Sequence, residues 1–235
     1  MPAEPLTREI FGNITPVAQG LFYGLAALSL GVGSWGVVRR VRRWRVGRLP
    51  AEPIDWKALF RRFPRRVLRQ PTQTVTRPAA GRAHRLLFAG FVVLLIGTIL
   101  VAVEHWLATL LGHGTVFHRG LYYAIYEVLT DAAGLALLAG CGWYLLRHAR
   151  GGSSAAGKLS DWLVLAGLAF LGVSGYLVEA LRIVHAETPQ AGCSFVGAGV
   201  AALLKGLGLS QAGAGSFHRV TWWVHAVVAL GLIAA

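Results

Sequence analysis

The residues best able to do chemistry in this sequence are four of its 8 histidines. His84 and His105 flank the apolar run 86–103, and their 21-residue separation corresponds to about 31 Å of helix. His218 and His225 are seven residues apart, which is two helical turns, and therefore share one face of a later helix. Ionisable side chains at membrane depth are costly and mark functional sites by default, so these histidines are candidate cofactor ligands.

Pairs of imidazoles in facing helices are typical of haem b. A low-spin electron-transferring haem takes two neutral imidazoles, and its propionates take arginine or interfacial water. Arg82 and Arg219 stand beside these histidines, and Gly90 and Gly97 would let a flat macrocycle approach the backbone. The alternative for His225 is a hydrogen bond between helices. Four further histidines are expected in loops or at helix ends, and most of them are expected to be solvated: His113, His118, His148 and His185.

Acidic and aromatic residues form a second set of candidates. Glu127 and Asp131 are four residues apart and share one helical face. They could form a proton path or a polar contact for a quinone, or they could be acids satisfied by a neighbouring helix or by water. Glu179 and Arg182 have the spacing of an interfacial ion pair. They also belong to a group expected at the outer helix ends, where it could line a quinone pocket: Glu104, Tyr122, Tyr123, Glu179 and Arg182.

Five apolar runs would position these residues. The chain is 55% hydrophobic and 14% charged, which excludes an ordinary soluble globule, and a spanning helix needs about 20 apolar residues. A weaker run, 195–209, is short and contains Lys205, so we expect a re-entrant or interfacial helix there. The predicted fold is an all-α integral membrane protein, a five-transmembrane-helix bundle. Its spans are predicted at about 17–38, 86–103, 121–146, 162–180 and 217–235.

The basic residues predict the orientation of the bundle. Of the 23 lysines and arginines, 15 lie between Arg39 and Arg85, between two apolar runs rather than over a folded face, which argues against nucleic-acid binding. Placing the N-terminus outside puts 18 bases on the inner side and 5 on the outer side. The positive-inside rule therefore predicts an outer N-terminus and a basic cytoplasmic loop between the first two spans.

That loop contains the stretch 54–70, which alternates apolar residues with arginine at near-helical spacing and is interrupted by Pro64. We interpret it as an interfacial amphipathic segment on anionic lipid, or as a docking surface for an acidic soluble partner. Residues 70–80 read as a linker. The final apolar run reaches Ala235 without a basic flank, so the polypeptide is expected to continue on the inner side.

Four stretches carry a resemblance to a known family: HRLLFAGFVVLLIGTILVAVEH, YEVLTDAAGLALL, GYLVEALR and FHRVTWWVHAVVALG. In their order, and in the motifs HxxxFxGFxxxLxGT and HRxxWWxH, they resemble the gamma subunit of respiratory nitrate reductase, a five-helix di-haem cytochrome b. The chain is most similar to the version found in membrane iron–sulfur oxidoreductases related to heterodisulfide reductase, including electron-transfer-flavoprotein:quinone oxidoreductases. The resemblance covers nearly the whole chain as a single membrane domain.

The resemblance implies one or two haems b held by histidines of the second and fifth spans. His84 and His225 match ligand positions, whereas the second ligand position of the second span reads Val93 to Leu95 here. The second ligand position of the fifth span, about five turns beyond the first, falls past Ala235. The resemblance therefore implies that His84 pairs with a histidine beyond Ala235. His225 would pair with His105, or with His218 as its substitute. The haem iron would thus be held through His84, His105 and His225.

The implied function is electron transfer between a menaquinone or ubiquinone pool and a cytoplasmic iron–sulfur domain or subunit. Electron-transfer flavoprotein is a candidate soluble partner. The chain would then be the quinone-reacting part of a respiratory oxidoreductase in a bacterial cytoplasmic (inner) membrane. The alternative is a cofactor-free membrane anchor whose basic loop docks a soluble complex. A small transporter is less favoured because the sequence shows no inverted repeat.

Overall fold

The computed structural model describes residues 7, 9–46, 55–69, 78–150, 159–187 and 191–235. The described residues form seven α-helices, one 3₁₀ turn at Ala191–Cys193 and an isolated antiparallel bridge between Thr7 and Arg119. The chain is therefore all-α, as predicted. The helices are α1 (Pro16–Trp44), α2 (Trp56–Arg69), α3 (Pro78–Leu111), α4 (Gly120–Ala149), α5 (Leu159–Ala186), α6 (Phe195–Gly206) and α7 (Gln211–Ala234).

Five of these helices, α1, α3, α4, α5 and α7, are long and apolar enough to cross a bilayer, which confirms the prediction of a multi-pass membrane protein. Each extends beyond the apolar run that predicted it, because helical hydrogen bonding continues through polar flanks until a cap ends it. α7 begins at Gln211 rather than 217, where Ser210 Oγ accepts a hydrogen bond from Gly213 N at 3.1 Å. α1 begins in the same way, since Thr15 Oγ1 accepts from Ala18 N.

The spanning helices pack in the order α3, α4, α5, α7, α1, and within the described residues α3 and α7 do not form a packed interface. Glycine sets the closest approach: a Cβ on Gly90 would lie 2.5 Å from the Ala133 carbonyl oxygen, and one on Gly140 would lie 2.7 Å from Leu87 N. Gly97 likewise lies against α4, beside Tyr126. The expectation that Gly90 and Gly97 face a macrocycle is therefore wrong, because both belong to the α3–α4 contact.

The two ends of the bundle differ in character. The end that we call the basic end carries the arginines of the last turns of α1, the helix α2 and the start of α3. The opposite end, which we call the α6 end, carries residues 9–15, the loop 112–119 and α6. Phe11, at φ +63°, packs there with ring centroids 4.9 Å from His105 and 5.9 Å from Trp222. A residue from the N-terminal segment thus connects the ends of α1, α3 and α7.

Two shorter helices complete the fold. α6 has 12 residues, about 18 Å, which is too short to span and agrees with the expected interfacial or re-entrant helix. α2 runs through Pro64 without a break, contrary to the predicted interruption. Proline removes one amide donor, but the neighbouring hydrogen bonds can carry a helix past it. The predicted linker falls mostly outside the described residues, and α3 already begins at Pro78.

Candidate functional site

His225 is held by a hydrogen bond from α7 to α5. Its Nδ1 lies 2.8 Å from Ser174 Oγ, and a Cβ on Gly175 would lie 3.6 Å from its Cε1. The Ser174 hydroxyl also donates to the Leu171 carbonyl at 3.4 Å, so its lone pairs are turned to accept Nδ1–H. We assign this tautomer from the hydrogen bonds. It leaves a lone pair on Nε2, which is the atom that a metal would take.

The depth of His225 in the bundle follows from contacts between successive helices. On α5, a Cβ on Gly172 would touch Leu138 of α4, and the backbone of Leu137 lies against Gly90 of α3. The α5 neighbours of His225 are residues 174 and 175, which lie about half a turn beyond Gly172 towards the α6 end. His225 therefore lies at about the level of Gly90 on α3.

The two histidines of α3 lie at different distances from that level. His84 is six residues from Gly90 towards the basic end, about 9 Å along the helix. His105 is fifteen residues away towards the α6 end, about 22 Å. The structure therefore does not bring His105 and His225 together as the expected pairing requires, and His84 is the nearer in depth.

His84 and His105 also have different surroundings. His84 is half-buried and stacks on Phe88 of its own helix at 6.3 Å. His105 is packed among aromatic rings, 4.9 Å from Phe11 and 5.8 Å from Tyr23, with which it is nearly parallel. This aromatic packing accounts for His105 without any cofactor, whereas the contacts of His84 leave its role open.

His218 is 3% exposed, and its Nδ1 makes no hydrogen bond within the part of the chain that the structure describes. Arg182 and Glu179 are close enough to interact with it electrostatically. Metal-ligating histidines almost always hydrogen-bond through their second nitrogen. By that criterion His225 is better prepared than His218 to act as a ligand.

The two arginines expected beside the histidines lie at opposite ends. Arg82 is exposed at the start of α3, two residues from His84, at the basic end. Arg219 is exposed near the start of α7, and its Nη1 lies 3.5 Å from Asn13 Oδ1. Arg82 is thus placed to reach an anionic group near His84, while Arg219 contacts the N-terminal segment.

Glu104 proves to be a clamp for the loop 112–119. It is fully buried, and its carboxylate accepts hydrogen bonds from Val116 N at 2.5 Å and Phe117 N at 3.0 Å. Thr7 Oγ1 adds a hydrogen bond to the His118 carbonyl at 2.8 Å. The structure thus gives Glu104, predicted for a quinone pocket, a complete structural role.

His118 lies in a loop, as expected, but it is 0% exposed and is therefore an exception to the expectation that most of these histidines are solvated. Its ring is enclosed by three tyrosines of α4, with centroid distances of 5.8 Å to Tyr122, 5.2 Å to Tyr123 and 4.6 Å to Tyr126. The sequence contained an indication of this packing, because the three tyrosines at 122, 123 and 126 follow His118 at helical spacing. Tyr122 and Tyr123, predicted for quinone, pack this histidine.

The remaining predicted quinone residues belong to a polar network that holds α6 in place. Glu179 and Arg182 form the expected i,i+3 ion pair, with Nη2 to Oε1 at 2.5 Å. Ser194 Oγ donates to Glu179 at 3.0 Å and also to Glu127. Asp131 accepts from Val196 N, in the first turn of α6, at 2.7 Å. Of the interpretations for the two acids of α4, satisfaction by a neighbouring helix is the one that these contacts support.

An open apolar groove of about 480 Å³ lies between α5, α6 and α7 at the α6 end, and two of its wall residues, Leu207 and Phe217, are 76% and 59% exposed. Its volume falls within the range of ligand pockets, which are mostly apolar with few polar groups. Thr221 supplies a hydroxyl, and the groove could not be predicted from the sequence because its walls come from three separated stretches. The lining residues are Leu177, Leu181, Leu204, Leu207, Gly208, Leu209, Phe217 and Thr221.

The described residues contain no group of three or more histidine, cysteine or acidic side chains placed to hold a metal ion. Bis-imidazole ligation of haem needs only two protein ligands, so the donor set on α3 and α7 is of the right kind for it. No family model, curated protein or solved structure matches the chain.

Proposed function

We propose that this protein is a membrane electron-transfer subunit that holds haem b between α3 and α7, with His84 and His225 as the ligands. The observation that carries the proposal is the contact between His225 Nδ1 and Ser174 Oγ at 2.8 Å. It fixes the imidazole within the bundle and leaves Nε2 for iron, as in other histidine metal sites. Bound haem b supplies one-electron redox chemistry.

The packing of the helices supports α3 and α7 as the pair that would hold haem. Each packs against other helices, but the two do not form an interface with one another in the described residues, so a planar cofactor between them would not displace a helix contact. His84 is the histidine of α3 nearest in depth to His225, about 9 Å from it along the helix against about 22 Å for His105. Arg82, exposed beside His84, would neutralise a propionate at the basic end. A second haem, through His105 or His218, stays a prediction.

The protein's own residues would divide the remaining tasks between the two ends. At the α6 end, the open groove of about 480 Å³ offers a quinone apolar walls and the Thr221 hydroxyl. We therefore move the proposed quinone contact from Glu104 and its neighbours to this groove. At the basic end, the arginines in the last turn of α1 and at the start of α3 would attract the acidic surface of an iron–sulfur or flavin partner.

The test is a reduced-minus-oxidised visible spectrum of the purified full chain, reconstituted with haem b, followed by two substitutions. His225→Ala and His84→Ala should each abolish low-spin haem binding at this site. His113→Ala is the matched control, because His113 is an exposed loop residue whose Nδ1 contacts only the nearby Leu111 carbonyl at 2.7 Å. Its spectrum should equal that of the unaltered protein.

Two results would overturn the proposal. A chain that stays colourless when haem is supplied, although it is monodisperse and folded, would exclude a haem site. Haem content that is unchanged in both His225→Ala and His84→Ala would show that the ligands lie elsewhere. Retention of haem in His84→Ala alone would return the pairing to His105 or His218.

The alternative function is a cofactor-free anchor that docks a soluble complex. One observation favours it: α2 presents exposed basic residues at the end where a soluble complex would bind. A colourless protein that still recruits an acidic soluble complex would support this alternative.

A further inference from the structure

Among the described residues, no other part of the protein covers the apolar face of α2. Four large side chains on it are exposed: Trp56 by 60%, Leu59 by 47%, Phe60 by 73% and Phe63 by 58%. At about 100° per residue these positions fall within an arc of about 100°. An exposed patch of this kind, continuous along a helix, marks an interaction surface.

The opposite side of α2 is basic. Arg66 lies at one border of the apolar arc, Lys57 and Arg62 lie about 60° beyond its two edges, and Arg61 lies farthest from it. Long basic side chains beside an apolar face can bury their alkyl stems while their charged ends extend to a layer of phosphates. The acid beside the helix, Asp55, caps its first turn by accepting from Ala58 N at 2.9 Å.

The position of α2 in the chain keeps it near the membrane. It lies between two spanning helices, α1 and α3, and contacts α3. Eight residues, 70–77, separate Arg69 from Pro78, and they can reach at most about 28 Å. The apolar face is therefore confined to the neighbourhood of the bilayer surface at the basic end.

We propose that α2 lies in the bilayer interface and binds anionic phospholipid, with its apolar face among the acyl chains and its arginines on the headgroup phosphates. Of the occupants that could cover this face, anionic lipid matches both halves of the helix, because it offers apolar chains beside negative charge. A soluble acidic protein would match the basic side alone. This inference does not depend on the haem site.

The test places a nitroxide label on α2 of the full chain in nanodiscs. Cys141 and Cys193 are free thiols, so Cys141→Ala and Cys193→Ala first provide a background without native thiols. Phe60→Cys puts the label on the apolar face, and Arg62→Cys puts the matched control on the basic side. The collision rate of the nitroxide with oxygen, which is concentrated in lipid, is compared with its collision rate with a water-soluble nickel chelate.

In nanodiscs of phosphatidylglycerol and phosphatidylcholine, the label at position 60 should favour oxygen several-fold, and the label at position 62 should favour nickel. Adding Arg61→Glu, Arg62→Glu and Arg66→Glu to the Phe60→Cys chain should move the label at position 60 into water. Equal nickel access at both positions would overturn the proposal and leave the face to a soluble partner. Equal burial in pure phosphatidylcholine, unaffected by the charge reversal, would overturn the requirement for anionic lipid.

Discussion

Removal of the Ser174 hydroxyl tests how His225 is prepared for its role. Ser174 is 4% exposed, and its Oγ lies 2.8 Å from His225 Nδ1. Ser174→Ala deletes that oxygen without adding volume, so the imidazole loses the partner that fixes its orientation and tautomer. The ring remains present, and haem should therefore still bind, but more weakly.

The size of the effect can be bounded in two ways. A typical intramolecular hydrogen bond contributes about 0.5–1.5 kcal/mol net, which corresponds to about 2- to 13-fold in an equilibrium constant. Loss of a partner of a metal-bound histidine typically costs about 10- to 100-fold in affinity. The two ranges meet near tenfold, so we expect the dissociation constant for haem to rise by about that factor.

The assay is titration of haem into the apoprotein in detergent, followed by visible absorbance. The matched control is Ser29→Ala, because Ser29 is also buried and donates from Oγ to the Leu230 carbonyl of α7 at 2.6 Å. It removes the same group from an interface of α7 but touches no histidine. We expect Ser29→Ala to keep the original haem affinity.

Ser174→Ala and Ser29→Ala that both bind haem as tightly as the unaltered protein would contradict this prediction. That result would mean that the contact with Nδ1 does not prepare His225, and the main support for its assignment would be lost. Equal weakening in both variants would instead assign the effect to general destabilisation of α7.

Two further predictions concern the packing that surrounds the site. Gly90→Ala should destabilise the protein by about 1–3 kcal/mol, measured by thermal unfolding in detergent, because the added Cβ meets the Ala133 carbonyl at 2.5 Å. The control Gly142→Ala, on an open face of α4, should not, and equal melting temperatures would refute the close approach. Glu104→Ala should cost about 1–3 kcal/mol for each of the two loop amides left unsatisfied and should open the loop 112–119 to protease. Unchanged cleavage of that loop would show that the clamp contributes little.

The fold was largely predictable from the sequence because a bilayer allows few solutions. Apolar runs of spanning length specify helices, and the short run containing Lys205 identified α6. The helix ends were less predictable, since capping by residues such as Thr15 and Ser210 depends on backbone geometry rather than on hydropathy. Pro64 shows the limit of a local rule, because the helix continues through it.

The candidate site was predictable in composition but not in arrangement. Sequence reasoning selected His84 and His225 and recognised that Glu127 and Asp131 share a face. It could not show that these acids hold α6, because their partners are more than sixty residues away. The pairing of His225 depends on how α3, α4, α5 and α7 are staggered, and spacing within one helix carries no information about that.

The order in which the helices pack has a consequence for biogenesis. The spans α3, α4 and α5 each contact the next helix to be synthesised, whereas α1 contacts α7, the last spanning helix of the described chain. Ser29 and the Leu230 carbonyl that it binds are 201 positions apart. During membrane insertion Tyr23 of α1 can meet His105 as soon as α3 is made, but the rest of the α1 contact surface faces lipid until α7 has been translated. Its glycines Gly20 and Gly24 have no close neighbour among the described residues even then. Closure of α1 onto α7 would therefore be a late step in assembling the described helices.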